Sequence, residues 1–173
     1  MKIDGYKIQH TIRELEHQRE IAASQFADSL YAFPGETKPE TGKLAAIHQH
    51  CEESIARLQV VQARYNLQVQ VDILRADGAV LLMSLHEAVK RVGGAGRMEK
   101  MWRSASKEPK ERFGYGGEHK REAGAEFSRR TVRLDIAIEH ARFAARFANA
   151  LRAAIQKANA TEVDMDVDET LFG

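Results

Sequence analysis

The stretch Ser84–Arg103, SLHEAVKRVGGAGRMEKMWR, decides how this chain divides into helices. It begins with Ser84-Leu85-His86-Glu87, the pattern of a capping box, in which the first and fourth side chains bond the free amides of a helix start. Three glycines then follow within four residues, and each costs about 1 kcal/mol in a helix interior relative to alanine. The stretch predicts a helix over 84–105 whose glycines need a reason: close packing of another chain, a helix break, or a ligand.

The glycines and the basic residues after them are the best candidate for a binding site. Glycines let backbone N–H groups approach a phosphate, and a helix that starts after Gly96 would direct its N-terminus at the same place. The predicted ligand-binding residues, for an anionic and nucleotide-like small molecule, are Gly93, Gly94, Gly96, Arg97, Lys100, Trp102 and Arg103. The arginines would clamp a phosphate, and Trp102 would stack on a base. In the alternative interpretation, Met98, Met101 and Trp102 fill the core and the basic residues are solvated.

Two long amphipathic helices are predicted toward the N-terminus. Apolar side chains recur every three or four positions over residues 4–32 and again from about 38 to 66. Phe33-Pro34-Gly35 separates the two helices, because proline cannot continue a helix and glycine takes the turn. Thr37-Lys38-Pro39-Glu40 fits a capping box for the second helix. Residues 4–66 therefore predict an antiparallel helical hairpin packed like a coiled coil.

The apolar period changes from helical to alternating after the hairpin. Apolar side chains alternate with polar ones at Leu67, Val69, Val71 and Ile73. This is the pattern of a half-buried strand, and Asp77-Gly78 is a turn signal, so residues 67–83 predict a β-hairpin. Continuation of the second helix is the alternative; the β-branched residues on the alternating face favour the β-hairpin.

The C-terminal half predicts a loop, a helix and a strand. Residues 106–130 are rich in glycine and charge and read as a basic loop, and residues 131–159 form an alanine-rich helix. The acidic tail, 160–173, alternates valine and methionine with aspartate over 163–168, which predicts a strand that joins the β-hairpin in a three-stranded sheet. The expected fold is a single mainly α (α+β) domain: a long antiparallel helical hairpin, two further helices and a small antiparallel β-sheet.

Charge is distributed unevenly along the 173 residues, although the net charge is only +1. Residues 97–133 hold 11 basic and 6 acidic side chains, whereas residues 160–173 hold 5 acidic and no basic ones. A second set of basic residues that would contact nucleic acid consists of Arg112, Lys120, Arg121, Arg129 and Arg130. Glutamates at 118, 122 and 126 lie among them and weaken that interpretation.

Several classes of protein are disfavoured by the sequence. No apolar run approaches the roughly 18 residues of a membrane span, and the N-terminus lacks the apolar core of a signal peptide. The single cysteine, Cys51, excludes an internal disulfide framework. We therefore expect a cytoplasmic protein with no membrane partner.

Patterns of catalytic and metal-binding residues are also lacking. No serine lies in a G-x-S-x-G elbow, and Gly93–Gly96 does not follow a strand as a dinucleotide fingerprint would. Asp164-x-Asp166-x-Asp168 lacks the glycine and glutamate of a calcium loop. His48 and Cys51 share a helix face, which His10 and His17 could meet across the hairpin, but two ligands do not make a zinc site. We expect no catalytic residue, no metal and no cofactor.

The order of these features resembles the septicolysin-like family of uncharacterised bacterial helical proteins. The shared features are the long helical hairpin, the turn at Asn66, Asp77-Gly78, the helix start Ser84-Leu85-x-Glu87-Ala88, and a final helix that begins at Thr131-Val132 and ends near Ile155-Gln156-x-x-Asn159. The resemblance extends along most of the chain and includes no catalytic motif. It implies an elongated, mostly helical fold and self-association. The glycine run, the basic loop and the acidic tail depart from the family pattern, so a distinct function is expected there.

Three functional hypotheses follow. The leading one is a non-enzymatic homo-oligomer that binds or sequesters an anionic, nucleotide-like small molecule at Gly93–Arg103. The second is a structural or assembly protein without a ligand, in which coiled-coil contacts hold copies together. The third is nucleic-acid binding through residues 97–133, with an affinity that falls steeply with salt.

Overall fold

The computed structural model describes residues 1–74, 78–107, 111–112, 126–127 and 131–172. Within these ranges the helices are α1 (Gly5–Ser29), α2 (Thr41–Gln68), α3 (Leu85–Ala105) and α4 (Leu134–Asn159). The strands are β1 (Lys2–Ile3), β2 (Gln70–Leu74), β3 (Val80–Ser84), β4 (Glu111–Arg112), β5 (Glu126–Phe127) and β6 (Val163–Asp164), and a 3₁₀ turn covers Glu169–Phe172. The predicted mainly α (α+β) class, with its helical hairpin, two further helices and antiparallel strands, is confirmed.

Helix α1 has a well-defined start and an end set by a tight turn. The carboxylate of Asp4 accepts a hydrogen bond from the Lys7 amide at 2.7 Å, which satisfies one of the free N–H groups of the first turn. The helix ends at Ser29, three residues before the predicted end. The chain then reverses through Phe33–Glu36, where the Glu36 amide donates to the Phe33 carbonyl at 3.0 Å. Gly35 has φ +85°, the conformation that the third residue of a type II turn requires.

Helix α2 begins at Thr41, so the capping box predicted at Thr37 is wrong. Glu40 is the capping residue, and its side chain makes no capping hydrogen bond. The residue before a proline disfavours helical geometry, and Lys38 precedes Pro39, which delays the helix to the residues after the proline. At its other end α2 continues to Gln68, two residues beyond the predicted boundary.

Strands β2 and β3 form the predicted β-hairpin, so the alternative of a continuous helix through residues 67–83 is wrong. The two strands are antiparallel, with Val71 opposite Met83. The inward face carries the buried side chains of Val71, Ile73 and Met83. Helix α3 follows directly, and the Ser84 hydroxyl accepts from the Glu87 amide at 3.2 Å, as expected for a cap.

Strand β6 does not join the β-hairpin, and the predicted three-stranded sheet is wrong. It pairs instead with β1, with Ile3 opposite Val163 and Lys2 opposite Asp164. The N-terminal amine reinforces this pairing by donating to the Met165 carbonyl at 2.9 Å and to the Asp164 carboxylate at 3.1 Å. Two-residue strands carry no readable alternation, so the sequence gives no sign of β1.

The chain divides into two compact units. Unit 1 comprises Met1–Ala88 and Ala153–Gly173, and unit 2 comprises Val89–Arg152. Within the described residues, no helix of either unit combines the length and the apolar character that crossing a bilayer requires.

The helical hairpin of unit 1 has two contrasting ends. At the hairpin base, defined here by Gly5, Tyr65 and Asn159, α1, α2 and the end of α4 meet. The Tyr65 hydroxyl lies 2.8 Å from the carbonyl oxygens of both Ala158 and Thr161. The hairpin end, residues 21–47, comprises the last turns of α1, the connection and the first turns of α2.

Candidate anion-binding face of helix α3

Helix α3 is continuous through its three glycines. It runs without interruption from Leu85 to Ala105, as predicted for residues 84–105, so the glycines do not break the helix and no helix starts after Gly96. Interior amides of a helix donate to carbonyls four residues earlier, and the amides around Gly96 are therefore not presented to a phosphate as a helix N-terminus would present them. Ala88 and Ala95 are buried, and the packing at these two alanines offsets the local cost of the glycines.

Four of the seven predicted ligand-binding residues share one face of α3. At 100° per residue, Gly93, Gly94, Arg97 and Lys100 point away from the buried Ala88 and Ala95. The Arg97 guanidinium folds back over Gly93, since its Nη1 atom lies 3.5 Å from the position that a Cβ there would occupy. No described atom lies within 4 Å of the corresponding positions at Gly94 and Gly96. This face therefore combines an uncovered backbone position at Gly94 with the cationic side chains of Arg97 and Lys100.

Trp102 and Arg103 do not belong to that face. The Trp102 indole stacks on the His140 imidazole of α4, with ring centroids 4.5 Å apart and an interplanar angle of 20°. The Arg103 guanidinium bonds Glu99 one turn back, at 2.8 Å from Nη2 and 2.9 Å from Nε. One face of the indole is covered and one arginine is already paired, so the predicted clamp with a stacking base is not assembled by these two residues.

The two methionines that follow the glycines are exposed. Met98 and Met101 retain 47% and 49% of their accessible surface. The interpretation of these methionines as core residues therefore does not hold for the described part of unit 2. Trp102 is half-buried through its stack on His140, so it alone of the three resembles a core residue.

The second predicted basic set lies almost entirely outside the described residues. Arg112 falls in β4, which pairs with β5. Lys120, Arg121, Arg129 and Arg130 are outside the ranges that the structure describes.

Three basic residues escaped the sequence interpretation. Lys90 lies seven residues before Arg97, about two helical turns, and is exposed on the same face of α3. On α4, Arg142 and Arg146 are one turn apart and exposed. The sequence contains a signal for Lys90. In a helix that continues through the glycines, its spacing of seven residues from Arg97 places both side chains on one face. His140 had no such signal, because its contact with Trp102 joins two helices far apart in sequence.

The two units carry opposite net charges, and each is larger than the net charge of residues 97–133 or of residues 160–173. The sequence of unit 2 contains 16 basic and 8 acidic residues, a net charge of +8. That of unit 1 contains 10 basic and 17 acidic residues, a net charge of −7. Charge asymmetry of this size governs which partners a protein attracts rather than how it folds.

Two candidate residues for metal binding or catalysis, Asp168 and Cys51, have structural roles. Among the described residues, no three His, Cys, Asp or Glu side chains are grouped closely enough to hold a metal ion. The Asp168 carboxylate accepts from the Thr170 hydroxyl at 2.6 Å and amide at 3.0 Å, which starts the 3₁₀ turn. Cys51 is buried between α1 and α2, and burial raises the pKa of its thiol, which opposes a nucleophilic role at neutral pH.

No protein-family model matches this chain, and no curated protein or solved structure shows significant similarity to it. The resemblance to the septicolysin-like family therefore stays a prediction.

Proposed function

We propose that the protein is a non-enzymatic binding protein whose unit 2 binds a polyanion, by chemical class a nucleic acid. One observation carries the proposal: Lys90, Arg97 and Lys100 line an exposed face of α3, on which the Arg97 guanidinium lies over Gly93 and no described atom lies within 4 Å of a Cβ added at Gly94. The net charge of +8 on unit 2 supports it. The proposed ligand is still an anion, as the sequence predicts, but it is a polymer and not a small molecule.

A nucleic-acid backbone suits the chemistry of this face. Lysine and arginine neutralise phosphates and release the counterions condensed on them, which supplies most of the affinity of sequence-independent binding. The two glycines bring the helix axis closer to an incoming strand than longer side chains would allow. Arg97, folded over Gly93, retains donors in a fixed plane that matches a phosphate group.

A polymer fits the geometry better than the small molecule first predicted. Small-molecule sites are concave and cover most of the ligand. The described face of α3 is convex and exposed, and the tryptophan that would cover a base is stacked on His140. A convex cationic face gains affinity from many weak phosphate contacts spread along a strand.

Fluorescence anisotropy with labelled single-stranded DNA, RNA and duplex DNA tests the proposal. We expect the affinity to fall steeply between about 50 and about 200 mM salt. The double variant Arg97→Ala/Lys100→Ala should bind about 10-fold or more weakly, with a salt slope reduced by about 2, because each phosphate contact contributes about 0.9 to that slope. The intrinsic fluorescence of Trp102, the sole tryptophan, provides a second measurement of binding.

The matched control is Arg13→Ala/Arg64→Ala, which removes the same charge from exposed positions of unit 1. This variant should bind like the wild type. If both double variants lose the same affinity for nucleic acid, the loss reflects net charge alone, and the α3 face is not the binding site. Salt-insensitive binding, or binding of mononucleotides without binding of polymers, would reject the polyanion and return the small-molecule hypothesis.

A further inference from the structure

The hairpin end carries an apolar surface that the described residues of unit 1 leave exposed. The apolar stripe of α1 is buried at Ile8, Ile12 and Ala22, but it continues to Phe26 and Leu30, which stay exposed. No residue from 23 to 43 is buried. The large exposed apolar side chains of this segment are Ile21, Phe26, Leu30, Tyr31, Phe33 and Ile47. A contiguous exposed apolar patch of this kind is typical of a surface that contacts a partner.

Two highly exposed aromatic residues lie at a hydrogen-bonded turn, Phe33 as its first residue and Tyr31 two residues before it. Tyr31 and Phe33 retain 85% and 82% of their accessible surface. The Phe33 amide donates to the Glu36 carboxylate at 3.1 Å, and Lys38 bonds the same carboxylate at 2.9 Å. Together with the Phe33–Glu36 backbone bond, these contacts fix the backbone that presents the aromatics. Rigid aromatic side chains on a preorganised turn are the typical anchors of protein interfaces.

The charge of the hairpin end indicates a second copy as its occupant. Residues 21–47 contain five charged side chains, although unit 1 as a whole has a net charge of −7. Four of the five neutralise one another, as Glu36 with Lys38 and Glu40 with Lys43. In a two-fold interface the same surface meets itself, so a net charge on that surface meets an equal charge of the same sign. A nearly neutral, aromatic surface on an acidic unit meets that requirement, whereas a basic partner would be attracted elsewhere on unit 1.

We infer that the hairpin end is a self-association surface, at which the Tyr31–Phe33 turns of two copies pack against each other's exposed helix ends. The contact joins two α1–α2 pairs and covers the apolar residues that neither pair covers alone. It involves unit 1 and does not depend on polyanion binding by unit 2.

Multi-angle light scattering and analytical ultracentrifugation of the full chain across a dilution series test the inference. The wild type is expected to dimerise. Tyr31→Ser/Phe33→Ser is expected to raise the dissociation constant at least about 10-fold, since exposed aromatic anchors dominate such interfaces. The far-ultraviolet circular dichroism of this variant should match the wild type, because both side chains are exposed.

The matched control is Val80→Ser/Leu82→Ser, which removes two apolar side chains of 63% exposure each from the outer face of β3. The dimer is expected to tolerate this change. A wild type that is monomeric at every concentration overturns the inference, as does a dimer that survives the aromatic substitutions. A monomer that binds phosphatidylcholine vesicles through Tyr31 and Phe33 overturns it in favour of a membrane surface.

Discussion

The two ends of the α1–α2 hairpin are built from the same helices and differ in what covers them. At the hairpin base, β1, β6 and the end of α4 surround the helix pair, and Leu58 and Tyr65 are fully buried. At the hairpin end, aromatic side chains remain exposed. The comparison teaches that an amphipathic stripe is buried only as far as a neighbouring element covers it. Burial between α1 and α2 extends to Ala22 and Leu44 and stops before the connection, so we expect the base to carry stability and the end to carry association.

The same leucine truncation should have very different effects at the two ends. Leu58 is 0% exposed, and Leu58→Ala is expected to lower the free energy of unfolding by about 2–5 kcal/mol through lost burial and a residual cavity. Leu30 is 53% exposed, and Leu30→Ala should cost about 0.5 kcal/mol or less in the monomer. Urea denaturation at a concentration where the chain is monomeric measures both. Similar losses for the two variants would contradict the assignment of stability to the base.

Two helical glycines provide a second matched pair. A Cβ added to Gly5 would lie 2.6 Å from the Asn159 side-chain oxygen, 2.9 Å from the Tyr65 ring and 3.2 Å from the Asn159 Cα. Gly5→Ala is therefore expected to destabilise the protein by about 1–3 kcal/mol through overpacking. Gly42, near the start of α2, has no described atom within 4 Å of its added Cβ. Gly42→Ala should be neutral or stabilise by up to about 1 kcal/mol, because alanine favours the helix. Thermal denaturation distinguishes the two signs.

Replacing a tyrosine with phenylalanine at each end compares the two ends by their hydrogen bonds alone, because only a hydroxyl is removed. Burial raises the pKa of Tyr65, and its hydroxyl accepts from the Gly5 amide and faces the carbonyl oxygens of Ala158 and Thr161. Tyr65→Phe should cost about 1–3 kcal/mol, because these buried backbone groups lose their partner.

The control for this substitution is Tyr31→Phe at the hairpin end. Tyr31 is 85% exposed, so its variant should leave the free energy of unfolding within about 0.5 kcal/mol of the wild type. Hydrogen exchange at the end of α4 should accelerate in the Tyr65 variant and not in the Tyr31 variant. Unchanged exchange in both would show that the Tyr65 bonds do not hold α4 in place.

The sequence predicted the features that depend on neighbours along the chain. The helical stripes, the β2–β3 alternation and the Ser84 cap are local patterns, and each was found within a few residues of its predicted place. The pairing of β1 with β6 was missed because it joins residues about 160 positions apart through two-residue strands. The need for glycine at position 5 is likewise invisible, since it arises from Asn159 and Tyr65.

The candidate site follows in part from the same local patterns. The composition of Gly93–Arg103 drew attention to this basic segment, and the helical period places Gly93, Gly94, Arg97 and Lys100 on one face. Helix propensity left a break at the glycines open, but the helix continues through them with Ala88 and Ala95 buried. The stack of Trp102 on His140 joins two helices and could not be foreseen from either.

Acidification should loosen the turn at the hairpin end, and this is the smallest effect expected. Hydrogen bonds from Lys38 and from the Phe33 amide lower the pKa of the exposed Glu36 carboxyl. A group whose pKa is lowered by folding stabilises the folded turn above its unfolded pKa, about 4.3, and loses that contribution as the pH falls through the lower folded value. Two-dimensional NMR should show the Phe33 amide titrating below about pH 4.3. Lys38→Met should move the midpoint upward, and Glu36→Gln should abolish the transition.

Because the carboxylate is exposed, added salt should also weaken the effect of Lys38. A midpoint at the ordinary glutamate value in the wild type would mean that the turn is not held by these contacts, and the preorganised presentation of Tyr31 and Phe33 would lose its basis.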